Sequence, residues 1–200
     1  MPNWCFTDIT IYHKDEKKVK VLYDKIQEWT SKNYCENGFG HNWLGNIVGN
    51  SGICDPLNKD APRCRGTLED ISVPILDNNH ITMHTETAWS PHMKMWQMLI
   101  DKYLPDAEIY YTAEETGCGL YWSNDPDVVG KYNVDIFEPP SNYKFESKGD
   151  ADEKYVIEFL QDVFNTKETD INELLAMAND MEESWFCINQ YQFVDINDCE

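Results

Sequence analysis

Residues 80–112 read HITMHTETAWSPHMKMWQMLIDKYLPDAEIYYT, and this stretch decides the fold. Residues 80–88 read as a strand. Ser90-Pro91 then predicts a helix start, with Ser as N-cap and Pro at the first helical position, where its missing N–H costs nothing. Met95, Trp96, Leu99, Ile100 and Tyr103 recur at helical spacing and predict a buried stripe. Pro105 ends the helix, and AEIYYT over 107–112 predicts the next strand.

Upstream, WCFTDITIY over 4–12 alternates Cys5, Thr7, Ile9 and Ile11 with Phe6, Asp8, Thr10 and Tyr12, the period of a strand. Asp15 opens a helix in which Val19, Leu22, Tyr23, Ile26 and Trp29 share one face and lysines take the first turns and the outer face. A further strand over 67–76 is expected to join 80–88 through the turn Asp77-Asn78-Asn79. The element order is then β-α-β-β-α-β, that of the ferredoxin-like split βαβ. Residues 31–66, rich in Asn, Gly, Asp and Pro, predict an irregular insertion with one short helix near 42–48.

Downstream, a hairpin over 119–123 and 132–137, turning at Asn124, Asp125, Pro126 and Gly130, is expected to extend the sheet. Residues 138–150 read as a linker. Two acidic amphipathic helices follow, one buried through Tyr155, Val156, Phe159, Leu160 and Val163. The other is opened by a capping box of Asp170 and Glu173 and buried through Ile171, Leu174, Leu175, Ala178 and Met181. A last strand is expected over 185–194. The expected fold is therefore α+β, a ferredoxin-like split βαβ sandwich with an irregular insertion, an added hairpin and a C-terminal acidic helical extension. The expected domains are 1–138, carrying the insertion 31–66, and 139–200, ending in a strand.

The chain of 200 residues has 16 Lys+Arg against 36 Asp+Glu, a net charge of -20. The first 100 residues hold 12 acids and 10 bases, the last 100 hold 24 acids and 6 bases. Such a chain is unsuited to nucleic-acid backbone, which needs a positive field to release counterions, or to an anionic membrane surface. It suits a host protein with a basic nucleic-acid-binding surface. Asp125, Asp127, Glu153, Asp162, Glu173 and Asp180 are the contact candidates. No window approaches the roughly 20 apolar residues of a membrane span, and the start lacks the basic and apolar regions of a secretory signal. A host-cell cytoplasm is expected. The seven cysteines have no paired spacing and are expected as thiols.

Three signatures carry a resemblance: Met1-Pro2-Asn3-Trp4-Cys5, Thr87-Ala88-Trp89-Ser90-Pro91, and Tyr111 with Glu114-Glu115-Thr116-Gly117. Over about residues 1–138 the chain resembles the YubB-like ferredoxin-like proteins of plasmids and bacteriophages. The resemblance implies a ferredoxin-like fold and a mobile-element origin, and supplies no enzymatic activity. An inhibitor of a host defence protein, of anti-CRISPR or anti-restriction type, is the expected role.

The same signatures bring Asn3, Trp4, Trp89, Glu114 and Glu115 to strand ends, where two indoles beside carboxylates would make a ligand cleft. The plain alternative is that both tryptophans are core residues. A small nucleotide-like ligand is the second expectation, with Arg63 and Arg65 as the local positive charge it would need. His80, His84 and Glu86 share a strand face, and Cys35, His41, Cys54 and Cys64 fall within the insertion. His84 and Glu86 are close enough to co-ligate a metal but His80 is too distant to join them, so an exposed polar strand face is the plainer reading; the cysteine set lacks the close Cys pair of a zinc site, and no metal or cofactor is expected. Met1 before Pro2 would expose a proline amine on removal of Met1, but no catalytic site is assigned there. No phosphate-cradling glycine loop, nucleophile elbow or metalloprotease helix is present, so no enzyme is expected.

Overall fold

Alternation in WCFTDITIY becomes a strand with one face against the core and one against solvent: Cys5, Thr7, Ile9 and Ile11 are buried, Trp4, Phe6 and Asp8 exposed. The computed structural model describes residues 3–36, 38–72, 79–140, 143–181 and 184–199. They form two compact units, Met1–Asp125 with Val194–Glu200, and Pro126–Phe193. Both are α+β.

In the first unit the strands are β1 (Trp4–Tyr12), β2 (Gly66–Ser72), β3 (His80–Ala88), β4 (Glu108–Glu115) and β5 (Leu120–Ser123). Its helices are α1 (Glu16–Thr30), α2 (Leu44–Asn50) and α3 (Met93–Tyr103). β1 is central, antiparallel to β3 on one side and β4 on the other. β2 pairs outside β3 and β5 outside β4, so these strands run β2-β3-β1-β4-β5. Asp15 caps α1 as its composition predicts, its carboxylate accepting the Lys17 and Lys18 amides. The inner sheet face (Ile9, Ile11, Ile81, Met83, Tyr111) and the helix stripes (Leu22, Ile26, Trp96, Leu99) form one core. Non-polar burial at about 25 cal/mol per Å² is what holds both helices to this face.

The insertion is tied down rather than loose. Leu44, Ile47 and Val48 of α2 are buried in the same core. Buried Asn46 acts as a staple: its Nδ2 donates to the carbonyls of Gly40 and His41 at 3.0 and 2.9 Å, and its Oδ1 accepts the Tyr34 amide at 2.9 Å. The C-terminal segment returns to the first unit, where the Tyr111 hydroxyl donates to the Val194 carbonyl at 2.8 Å and Cys199 is buried.

The second unit contains β6 (Tyr132–Ile136), β7 (Lys148–Ala151), α4 (Glu153–Phe164), α5 (Ile171–Asn179) and β8 (Phe186–Gln190). β6 lies between β7 and β8, antiparallel to both. Its core joins Val134, Val156, Leu160 and Leu174 around Phe159, which meets Phe186 and Phe145 edge-on at 5.0 and 5.5 Å.

Several expectations need correction. The hairpin of 119–123 with 132–137 does not form: β5 pairs with β4, whereas β6 pairs with β7 and β8, because Tyr132 and Val134 belong to the second core. The boundary therefore falls after Asp125 and not after 138; the expected extension 139–200 is divided, with its part up to Phe193 in a unit that has its own sheet and Val194–Glu200 in the first unit. Ser90-Pro91 does not start α3. Trp89 adopts a left-handed φ of 76°, the Met93 amide closes a tight turn onto the Pro91 carbonyl at 2.6 Å, and the helix begins only at Met93. The strand expected over 67–76 is seen to Ser72. Its remainder, Asp77-Asn78 and Met1-Pro2 lie outside the described residues.

Candidate functional site

The ends of β1, β3 and β4 meet as the signatures require. Trp4 pairs with Ala88, and the Trp89 amide donates to the Asn3 carbonyl at 3.0 Å. Asn3 Nδ2 lies 3.6 Å from Cys118 Sγ. Glu115 is 2% exposed, and its two carboxylate oxygens accept the amides of Gly117 and Cys118 at 2.8 and 2.7 Å. A Cβ on Gly117 would lie 2.6 Å from Asn3 Nδ2 and 2.8 Å from Glu115 Oε1, so a larger residue here would have to displace one of these side-chain ends. Glu115 is thus committed to a turn. Glu114 points to the opposite face of β4, half-buried, opposite Phe6 and Tyr121. The five cleft residues are near one another in the chain trace, but they do not converge on one cavity: Glu115 faces the core side, while Trp4 and Glu114 face the open side.

That open side is the larger feature. Period-2 geometry and the strand register place Trp4, Phe6, Asp8, Thr10 and Tyr12 of β1 on it. Beside them lie His80, Thr82, His84 and Glu86 of β3, Glu108, Tyr110, Thr112 and Glu114 of β4, and Thr67, Asp70 and Ser72 of β2. No Lys or Arg occupies any of these positions. Trp4 and Phe6 are 36% and 46% exposed, and Trp89, at the β3 end, is 50% exposed. His84 Nδ1 lies 2.9 Å from Asp8 Oδ1, and its ring stacks on Phe6 with centroids 6.3 Å apart. Asp8, Thr10, Asp70, Thr82 and His84 line a cavity of about 240 Å³ between the strands.

The acidic contact candidates are dispersed. Asp125 is half-buried in the first unit, and Asp127 is exposed in the second. Glu153 stands in the first turn of α4 and Asp162 nine residues on, half a turn round the helix. Asp162 is ion-paired with Lys144 at 2.6 Å. Glu173 lies in the first turn of α5 and Asp180 is its C-cap residue. Among the described residues no three His, Cys, Asp or Glu side chains are grouped to hold a metal ion. No described helix is long and apolar enough to cross a membrane.

Sequence reasoning singled out strand ends and missed the strand faces. The signal was present: the polar halves of the alternations in 4–12, 80–88 and 108–115 together contain acids and aromatics but no Lys or Arg. No protein-family model, curated protein or solved structure matches the chain.

Proposed function

We propose that the protein is a mobile-element accessory protein that works by binding, engaging the basic nucleic-acid-binding surface of a host defence protein in the host cytoplasm and blocking it. The reading keeps the YubB-like resemblance and takes the first unit as ferredoxin-like. The β2-β3-β1-β4 order with all neighbours antiparallel and two helices on one face supports that assignment.

One observation carries the function: the open sheet face, with Glu86 and Glu114 opposite exposed Phe6, with Asp8, Asp70 and Glu108 further along the strands, and with no Lys or Arg among the strand positions. Exposed aromatics on an antiparallel sheet also suit stacking on single-stranded RNA. Here five carboxylates would repel phosphate, so the ring faces suit cations instead. An arginine or lysine over an aromatic face gains about 0.5–2 kcal/mol, and flanking carboxylates add charge-assisted hydrogen bonds.

The test is capture from bacterial lysate by wild type and by the charge-reversed Asp8→Lys/Glu86→Lys/Glu108→Lys variant, each eluted with a salt gradient. Capture of a nucleic-acid-binding protein that is released by salt, inhibited when bound and lost with the variant is expected. Equal capture by a folded variant, or a captured protein whose nucleic-acid binding is unaffected, overturns the reading.

A further inference from the structure

The chain has two arginines, Arg63 and Arg65. Both line one pocket of about 360 Å³ in the insertion, with Phe39, Trp43, Asn58 and Cys64. Their common direction follows from the backbone. Pro62 and Cys64 are buried while Arg63 and Arg65 are exposed, the alternation of an extended segment, so both side chains leave on the same side. The segment is fixed at one end by the Arg65 carbonyl, which accepts the Ala88 amide at 3.0 Å. Trp43 is fixed by a backbone bridge to Thr67, and its indole lies over Gly45, where a Cβ would sit 2.3 Å from the ring.

In a chain with 36 acids, two adjacent arginines would be expected to collect carboxylates. Among the described residues neither has an ion-pair partner. Buried His92, whose Nδ1 has no hydrogen-bond partner among the described residues, is near enough to feel the Arg63 charge. Two guanidinium forks side by side match the oxygens of a phosphate, and arginine is the residue suited to that geometry. Half-buried Phe39 supplies flat apolar surface beside them, while Trp43, which also lines the pocket, is itself buried. The volume falls within the range of small-ligand pockets, at about 300–1,000 Å³.

We propose that this pocket binds a small phosphate ester carrying a flat ring, of the size of a nucleoside monophosphate. The proposal does not rest on the acidic sheet face: neither arginine is among its strand positions, although Arg65 stands opposite Ala88 at its edge. Titration calorimetry with adenosine 5′-monophosphate, inorganic phosphate and adenosine, in about 0.15 M salt, tests it.

A single saturable site for adenosine monophosphate is expected, with inorganic phosphate and adenosine each at least about tenfold weaker. In Arg63→Ala/Arg65→Ala, whose replaced side chains are exposed and whose fold circular dichroism checks, affinity should fall at least about tenfold. Phe39→Ala should weaken the monophosphate and leave inorganic phosphate unchanged. No saturable binding at about 1 mM ligand, or undiminished affinity in the arginine variant, overturns the proposal. Equal affinity for inorganic phosphate and the monophosphate overturns the ring-bearing class. Loss of partner capture by the sheet-face variant with ligand binding intact would show the two surfaces to be separate.

Discussion

His92 shows how far burial alone moves a side chain's chemistry. It is 3% exposed, its Nε2 lies 3.2 Å from the Ala88 carbonyl, and its Nδ1 is unpartnered among the described residues. Desolvation, with the Arg63 guanidinium adding to it and the carbonyl bond opposing it, pushes the imidazole down to about 4. In the unfolded chain it titrates near 6.5. Between those values the unfolded state binds a proton that the folded state does not, so stability falls as pH falls from about 6.5 towards 4. The whole effect is on the order of 3 kcal/mol, present in full above the unfolded value. Urea unfolding of wild type and His92→Phe at pH 7 and pH 4.5 should show wild type losing more stability on acidification. Parallel losses would place the acid sensitivity elsewhere. The sequence offered His92 only as a residue after Ser-Pro. It follows the left-handed residue Trp89 and turns back onto the Ala88 carbonyl, an arrangement that no local pattern announces. Glu115 is a similar case: adjacent to Glu114 in the chain, it serves a turn while its neighbour faces the open sheet.

At the scale of elements, the strands and helices of the first unit were legible because each carries its own period. β1 alternates, α1 opens on a capping Asp15, and α3 holds its stripe from Met95 to Tyr103 although it starts two residues later than Ser-Pro suggests. Pairing between elements was less legible. β6 reads as a strand, but nothing within it says whether β5 or β8 will be its neighbour. The choice is made by a core distant in sequence, centred on Phe159 of α4. Three aromatic rings besides Phe186 have centroids within 6.1 Å of the Phe159 ring, namely Tyr143, Phe145 and Trp185. Phe159→Ala should then cost about 3–5 kcal/mol, the transfer of the ring plus the cavity it leaves. Hydrogen exchange is the measurement: amides of β6 and β8 should lose protection most. Uniform loss limited to α4 would mean that the helix is not what holds this sheet.

At the scale of the whole molecule, charge read along the chain and charge read by unit differ. By halves the excess of acids lies almost wholly in the second. By unit, Pro126–Phe193 holds 15 acids and 5 bases and the remainder 21 acids and 11 bases, a net of −10 each. The first unit is also polarised across its layers. Lys14, Lys17, Lys18, Lys20, Lys25 and Lys32 sit on or beside α1, while the open sheet face carries carboxylates and no Lys or Arg at its strand positions. A face of like charges strains the fold that presents it, since like charges on neighbouring strands repel by a few tenths to about 1 kcal/mol. Such a surface persists where binding needs it, at some cost in stability. Asp70→Asn with Glu86→Gln, both on this face and outside the turns and caps described above, should therefore raise the melting temperature while weakening capture of the basic partner. The gain should be larger at about 20 mM salt than at about 300 mM, where the Debye length is shorter than the spacing across the sheet. A lowered melting temperature would mean that these carboxylates hold the strands together, and the acidic face would then be a structural feature rather than a docking surface.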